Sequence, residues 1–504
     1  MAESSKVSVK TSAGAEIASR GVVYLAGSQA TMVVFGYVIH IAAARLLAPA
    51  DYGRFVVVLS VMTFIKILQA HVLVSGLRKV VSEDHRRIHA ALGVGAKWYS
   101  AMIAVLLLSY LAMGPVLAKA FKDDALTTLL ALSAIEIPFF AILSLSGNLL
   151  SGVRRYSASG IPLAFYGAVR AAAACTLLFL GFGAAGAVLG QVLGSVAAAA
   201  LSLAFCLRVR SEIPSVPYPA MLGEAVSWTA LALPAGLGLI ALANLDIWFV
   251  KPFVKDASLV GLYGTAYALS RLPQFLVIGM AGAVFPRVSG AMAEGKGELA
   301  RKVSAQSVRL LLVIFVPLVV ITAGSSAGIC RLLFSRTYEA AALPLAILMA
   351  AMSLYAVVTL LCTLIAAANR PGVRMWLVLS LLPVGFALNW ALIPRWGLVG
   401  AASASLVTFA AGTIASVVLV RRCLGPIPFL WTLVRCLAAG GIVYVAGLLW
   451  PASGAMVASK VVLLGVLYLV LLFALREIRG EDLREARRII SRPGPGPRNE
   501  VSAP

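Results

Sequence analysis

The chain reads as fourteen long apolar runs separated by short clusters of charge, glycine and proline. The runs cover residues 21–44, 53–77, 90–117, 125–150, 160–181, 184–207, 224–250, 258–285, 305–330, 340–367, 373–394, 397–420, 431–450 and 456–476. A helix needs about 20 apolar residues to cross a bilayer, and each run is near that length. Barrel strands would be short and alternating, whereas these runs are continuous, so their backbone must be satisfied within helices. The prediction is an all-α polytopic membrane protein with about fourteen transmembrane helices. Residues 1–20 are polar. The run after them is too long for a signal h-region and lacks a small-residue cleavage pattern, so the first span is expected to be kept.

Composition agrees. Hydrophobic residues make up 61% and charged residues 12% of the 504, against about 45–50% and 25% in soluble domains. Charge then orients the spans. With a cytoplasmic N-terminus, 26 of the 42 Lys and Arg fall on cytoplasmic segments and nine on the other side, the rest lying inside spans. Such a bias places both termini in the cytoplasm and accounts for much of the +22 net charge without nucleic acid as a partner. The tail carries an amphipathic stretch, Glu481–Ile490, and ends in "SRPGPGPRNEVSAP", which reads as disordered. Six cysteines at 175, 206, 330, 362, 423 and 436 form no C-x-x-C pair and read as small buried apolar residues.

Three landmarks recur. Tyr52-Gly53 is echoed by Tyr263-Gly264 at an offset of 211. Gly183 and Gly186 are echoed by Gly397 and Gly400 at 214, and Arg154 by Arg370 at 216. One order at nearly one offset indicates a duplicated six-helix unit. Six is even, so the copies share one membrane orientation, as in parallel-repeat transporters. The expected organisation is an N-terminal segment 1–20, an N-lobe 21–210, a C-lobe 222–422, helices thirteen and fourteen at 430–476, and a cytoplasmic tail 477–504. Two like-oriented bundles suit alternating access about a site between them.

Ionisable groups in mid-bilayer cost about 2.5–3.5 kcal/mol each on insertion scales and so need a reason. Lys66, Lys97, Arg170 and Arg271 lie deep in spans, against only Glu136 and Asp246. Each could be structural glue, paired with a carboxylate or carbonyl. As a set, their cationic excess suits an anionic cargo, because guanidinium and ammonium groups grip phosphate through charge-assisted hydrogen bonds. Gln29, Gln69 and Glu136 are further polar candidates for the lumen. Arg309, Arg435 and Lys460 lie near helix ends and are expected to snorkel. Asp246 is either an ion-pair partner or, with oxygens of Asn389 and Thr408, a ligand of a coupling cation. His40 and His71 lack H-x-x-x-H partners, so no metal site is expected. No Walker motif, catalytic carboxylate pair or Ser-His-Asp set is present, which points away from an enzyme and from an ATP-driven step within this chain.

Four stretches carry a family likeness. "ARLLAPADYGRFVVVLS" (44–60) resembles the A-R-x-L-G-P-x-D-Y-G signature of Wzx-type polysaccharide-repeat flippases, with Ala48 in place of the usual glycine. "LVGLYGTAYALSRLPQFLVIGMAGAVFPRVS" (259–289) is similar to the eighth-helix region of that family and of peptidoglycan-precursor flippases. "LFSRTYEAAALPLAIL" (333–348) and "LNWALIPRWGLVGAASASL" (388–406) resemble their L-F-G-x-x-Y-x-x-A and N-x-x-L-I-P-x-x-G-x-x-G-A-A patterns, with Ser335 for glycine in the first. In order, they resemble the multidrug/oligosaccharidyl-lipid/polysaccharide exporter superfamily.

The resemblance implies a V-shaped pair of lobes and a flippase in the bacterial inner membrane. Its cargo would be an undecaprenyl-pyrophosphate-linked oligosaccharide, moved from inner to outer leaflet. No cofactor is implied beyond Na+ or H+ coupling, and the implied partners are polymerases and glycosyltransferases. Arg271 matches the Arg of the eighth-helix R-L-P-Q motif. Asp246, Asn389 and Thr408 occupy the helices that form a sodium site in some relatives. Peptidoglycan-precursor flippases carry an Arg in the first helix, where this chain's nearest central polar residue is Gln29; this favours exopolysaccharide or O-antigen cargo. The rival readings are a drug/cation antiporter of the same superfamily, which would want a more anionic pocket, and a membrane glycosyltransferase or polymerase, which would want a long acidic loop.

Overall fold

The computed structural model describes residues 27–477. The segment 1–20 and the amphipathic stretch Glu481–Ile490 lie outside the described residues. Among the described residues thirteen helices are long and apolar enough to cross a membrane: α1 Gly27–Leu46, α2 Pro49–Glu83, α3 His85–Ala120, α4 Ala125–Gly152, α5 Tyr156–Phe179, α6 Gly183–Ser211, α7 Met221–Phe253, α8 Ala257–Ala293, α9 Gly297–Leu333, α10 Arg336–Ala367, the continuous Pro371–Leu424, then α13 Leu430–Leu449 and α14 Met456–Ala474. Pro371–Leu424 has 54 residues, about 80 Å of helix and far more than one bilayer. It breaks at Gly397, whose φ of 54° and ψ of −129° are non-helical. The two parts, 371–396 and 398–424, are α11 and α12, which makes fourteen spans. Among the described residues all regular structure is helical.

The recurring landmarks are recurring backbone features. Gly183, opening α6, has φ 60°, and Gly397, opening α12, has φ 54°, a region open chiefly to glycine. The turn before α5 is made by Arg154 at φ 62° and the one before α11 by Asn369 at φ 60°, so the counterpart of Arg154 is Asn369, one residue before the expected Arg370, whose φ is −121°. Tyr52-Gly53 and Tyr263-Gly264 lie on α2 and α8, and those helices pack on each other. A Cβ on Gly53 would fall 2.8 Å from the Gly261 nitrogen, and one on Gly261 1.8 Å from the Pro49 carbonyl oxygen. Gly264 rests against Tyr52 and Val56. The echoed motifs therefore meet face to face where the two halves join. One apolar core runs through this junction, taking in Tyr52, Phe55 and Val56 with Tyr263, Leu345 and Leu348.

Alternate crossings put the Arg- and Lys-rich connections on one face of the bundle, here the basic face. Trp98, Trp228, Trp376 and Trp431, half or more exposed, lie near that end of their helices, as interfacial tryptophans do.

Helices α13 and α14 pack on α9 through bare backbone: a Cβ on Gly324 would lie 3.4 Å from the Cα of Gly447. Polar clasps fix both ends. Lys460 is buried and donates to the Gly324 carbonyl at 3.0 Å. Glu477, just beyond α14, accepts from Thr432 at 2.8 Å, Arg435 at 3.0 Å and Arg309 at 2.8 Å. Burial pushes the Glu477 carboxyl up, but these three donors outweigh it and hold it below its ordinary value. The expected snorkelling is thus corrected for Lys460, which is buried and turns inward because a carbonyl acceptor is within reach. The side chains of Arg309 and Arg435 stay 35% and 40% exposed and reach the Glu477 carboxylate. Of the six cysteines, all free, Cys206, Cys330, Cys362 and Cys436 are buried.

Candidate functional site

Each half of the bundle holds an arginine stacked on the tyrosine four residues before it, a spacing that places both on one helix face. On α5 the pair is Tyr166 and Arg170, with the guanidinium 4.9 Å from the ring centre. On α8 it is Tyr267 and Arg271, at 4.1 Å.

Around Arg170 the surroundings come from α1, α2, α4 and α6. Its Nη1 donates to Gln191 at 3.3 Å and its Nη2 to the Met32 carbonyl at 3.1 Å. Its Nε is buried with no hydrogen-bond partner. Glycines make the room: a Cβ on Gly194 would fall 2.5 Å from the Arg170 Cβ, and one on Gly36 3.0 Å from Nη2. Tyr166 links this arginine to a buried ion pair. Its hydroxyl donates to Glu136 at 3.0 Å and accepts from Lys66 at 2.9 Å. Lys66 and Glu136 are 2.8 Å apart, with side chains 14% and 1% exposed.

Arg271 sits where α8 breaks between Leu269 and Leu272. Pro273 removes a backbone donor in the next turn, and the interrupted backbone lets the guanidinium reach across to α7. There it donates to the Ala243 carbonyl and, at 3.3 Å, to Asn244 Oδ1. The Tyr267 hydroxyl donates to the same Asn244 oxygen, and Gln274 accepts from Nη1 at 3.1 Å. Neither Arg170 nor Arg271 makes a salt bridge among the described residues.

Helix α1 runs between the two centres. Met32 and Gly36 face Arg170, while the Tyr37 hydroxyl donates to the Ala268 carbonyl on α8 at 3.2 Å.

The remaining candidates are placed as follows. Lys97 does not join the cluster. It is exposed beside Trp98, 5.4 Å from that ring, on the side of α3 away from buried Gly95, Tyr99 and Ile103. The reason is length: α3 has 36 residues, and the 21 from Ser100 to Ala120 cross the hydrocarbon without it, so Lys97 lies near an end of the apolar stretch. Gln29 is exposed near the start of the described chain. Gln69 is not lumenal; it is fully buried and ties α2 to α4 by donating to the Ile137 carbonyl at 2.7 Å. Glu136 is buried as the partner of Lys66.

Asp246 is buried and accepts from the Tyr263 hydroxyl at 2.6 Å and the Ile247 N–H at 2.8 Å. Asn389 and Thr408 are buried too, each donating to its own helix, at Gly385 and Ala404. No hydrogen bond joins the three. Asn389 Oδ1 is buried without a partner, which leaves one hard oxygen available to a cation. Among the described residues no group of three or more His, Cys, Asp or Glu could hold a metal ion.

Sequence reading missed Tyr166, Tyr267 and Asn244, although the recurrent Y-x-x-x-R was visible. It also missed a cross-bundle ion pair on the face opposite the basic one. There Asp123, between α3 and α4, accepts from Lys251 of α7 at 2.7 Å and from Arg54 of α2 at 2.9 Å. Nearby, Arg45 of α1 donates to the carbonyls of Leu333 at 2.8 Å and Leu332 at 2.6 Å, closing the end of α9. The joint between the halves is shut on this face.

Fold and site together define a polytopic membrane protein, all-helical among the described residues, with an arginine centre in each half. The chain belongs to the polysaccharide biosynthesis protein family, whose profile matches residues 42–343. It is 23% identical over 509 residues to stage V sporulation protein B of Bacillus subtilis (strain 168), an alignment covering 92% of this chain and 96% of that protein. Its fold is similar to that of the lipid II flippase MurJ in an inward closed conformation, with a TM-score of 0.70, 13% identity, and 91% and 100% of the two chains covered. It also resembles an inward-facing multidrug resistance MATE family transporter of the MOP superfamily, with a TM-score of 0.59, 14% identity, and 78% and 95% covered.

Proposed function

We propose that this protein flips a lipid-linked oligosaccharide, an undecaprenyl-pyrophosphate-linked repeat unit, from the inner to the outer leaflet of a bacterial cytoplasmic membrane for exopolysaccharide or O-antigen assembly. The observation that carries the reading is the pair of arginines, one per half, flanking α1 and bound only to carbonyls and amides. A carboxylate would already satisfy them; neutral acceptors can be exchanged for a pyrophosphate, and charge-assisted hydrogen bonds are about twice as strong as neutral ones.

On this reading Arg170 and Arg271 grip the pyrophosphate, and Tyr166 and Tyr267 hold the guanidiniums in place. Lys66, neutralised by Glu136, supports the Arg170 side rather than the cargo. The halves rock about the α2–α8 joint, with both termini in the cytoplasm. No bond is made or broken, so the protein is a transporter and not an enzyme. Asp246 and Asn389 are the candidates for coupling to Na+ or H+, and the polymerase and glycosyltransferases of the pathway are the expected partners. A drug/cation antiporter would need free acidic groups in its pocket, whereas Glu136 is engaged by Lys66 and Tyr166.

The test uses vesicles loaded with fluorescent undecaprenyl-pyrophosphate-linked oligosaccharide, with flipping read by an impermeant quencher. Wild type should expose the sugar. Arg170→Ala and Arg271→Ala should stop it while the purified variants keep their thermal unfolding profile. Unchanged flipping in Arg271→Ala would sink the reading.

A further inference from the structure

One apolar cavity lies remote from the paired arginines. It has a volume of about 160 Å³ and lies where α9, α10, α12 and the start of α13 diverge. Its wall includes Leu312, Leu354, Val357, Val417 and Phe429, all only partly buried, so the cavity is open rather than sealed. Thr413 is its sole uncharged polar side chain. Its hydroxyl is spent on the Phe409 carbonyl of its own helix at 2.8 Å. Nothing on the wall would hold water, and apolar cavities near this size stay dry and accept apolar guests.

One charged residue completes the lining: Arg421, at the basic-face end of α12. Arg421 and its neighbour Arg422 are exposed, and among the described residues neither makes a salt bridge or side-chain hydrogen bond. No acidic residue occurs in 421–430. Thr413 lies eight residues back along the same helix, about 12 Å deeper. The cavity thus runs from two free guanidiniums at headgroup level down into the depth of the acyl chains. Arg271 is 22 residues from the basic-face end of α8, about 30 Å of helix rise, so a pyrophosphate held there would not reach Arg421.

We infer that this cavity is a binding site for an anionic phospholipid of the surrounding bilayer, with one acyl chain between α10 and α12 and the phosphate on Arg421 and Arg422. Basic clefts between membrane helices suit anionic headgroups, and a guanidinium meets a phosphate with two parallel hydrogen bonds. The seated chain fills the gap that α9 and α12 leave between them and couples α13 to the second half of the bundle.

The test places the full chain in nanodiscs of one part phosphatidylglycerol to four parts phosphatidylcholine. A trace of either lipid carries a diazirine on its acyl chain, and crosslinks are mapped by mass spectrometry. Wild type should be labelled within 308–312, 354–361 and 413–420, several-fold more by the phosphatidylglycerol probe. Val357→Trp, which fills the cavity, should remove those crosslinks. Arg421→Gln with Arg422→Gln should equalise the two probes without abolishing labelling. If Val357→Trp does not fold, Val417→Phe serves the same purpose. Equal labelling by both probes in wild type, or crosslinks indifferent to cavity filling, would overturn the inference. So would displacement of the phosphatidylglycerol probe by undecaprenyl phosphate in preference to unlabelled phosphatidylglycerol, which would assign the cavity to a prenyl tail.

Discussion

The Tyr–Arg pair of α5 and that of α8 have the same local geometry and opposite surroundings. Around Tyr166 and Arg170 the protein has placed a second cation and a carboxylate, Lys66 and Glu136, joined at 2.8 Å. Around Tyr267 and Arg271 it has placed an amide, a carbonyl and an aspartate that faces elsewhere, towards Tyr263. The first centre is held by an internal ion pair and the second by neutral dipoles. The first should therefore matter most to stability. The second, with its guanidinium held by exchangeable acceptors at a helix break, is the better placed to respond to a ligand.

The sharpest test of that contrast is Glu136→Ala. It leaves Lys66 charged and buried without its partner, and breaking a buried pair typically costs about 3–5 kcal/mol. Thermal unfolding in detergent should show a large loss, recovered in the Lys66→Met, Glu136→Leu double variant, because an apolar pair of similar volume is often neutral or better. The matching change on the other side, Asn244→Ala, removes an oxygen that both Tyr267 and Arg271 use. Leaving buried donors unsatisfied costs about 1–3 kcal/mol, so its unfolding shift should be smaller. A shift equal to that of Glu136→Ala would erase the distinction between the centres.

Much of this was legible in the sequence, and the division follows physical range. Runs of apolar residues fix where the chain can lie in lipid, so the fourteen spans, including the separation of α11 from α12 at Gly397, could be read directly. Turn landmarks were legible because a left-handed glycine or a tight turn is a local demand. Partner choice is not local. Lys66 and Glu136 are 70 positions apart, and nothing in either segment announces the other. Lys97 was misplaced for a related reason. Depth was judged from its position within an apolar run, whereas α3 is longer than the bilayer and its packed stripe of Gly95, Tyr99 and Ile103 turns Lys97 outward. The inward turn of Lys460 and the pairing of Arg309 with Glu477 likewise depended on acceptors supplied by distant segments.

A third region separates the role of the joint from that of the centres. At Gly261 the α8 backbone approaches Pro49 so closely that a Cβ would lie 1.8 Å from its carbonyl oxygen. Neither backbone can yield as a flexible side chain could. Gly261→Ala should push α2 and α8 apart, a cost of about 1–3 kcal/mol typical of overpacking. Because neither Tyr–Arg pair touches it, the variant should lower the barrier to opening on this face while the centres stay folded. Faster reaction of an impermeant maleimide with a cysteine in place of buried Val260, in a background where the six native cysteines are alanine, would show this; unchanged reactivity would mean that the joint does not depend on the glycine contact.

The mildest expected effect concerns Asp123, the carboxylate shared by Lys251 and Arg54 across the same joint. Burial pushes its carboxyl up, but hydrogen bonds and charge from Arg54 and Lys251 outweigh that and hold it below the ordinary value. A carboxyl whose pKa is lowered in the closed state stabilises that state fully above its ordinary range. The contribution disappears as the pH falls through the lowered value. Maleimide labelling at Val260→Cys, expressed relative to a free thiol at the same pH because only the thiolate reacts, should therefore stay low at neutral pH and rise only below the usual carboxylate range. Asp51 and Glu339 also lie on this face, paired with Arg54 and Arg331, so the Asp123 share must be isolated by Asp123→Asn. With that substitution Lys251 keeps a neutral acceptor and Arg54 keeps Asp51. Labelling should then be modestly raised at neutral pH and lose most of its pH dependence. If the pH dependence persists in Asp123→Asn, the proton acts on the other carboxylates. The closed joint would then rest on its backbone contacts and the Arg45 clasp, and the charge across it would contribute little.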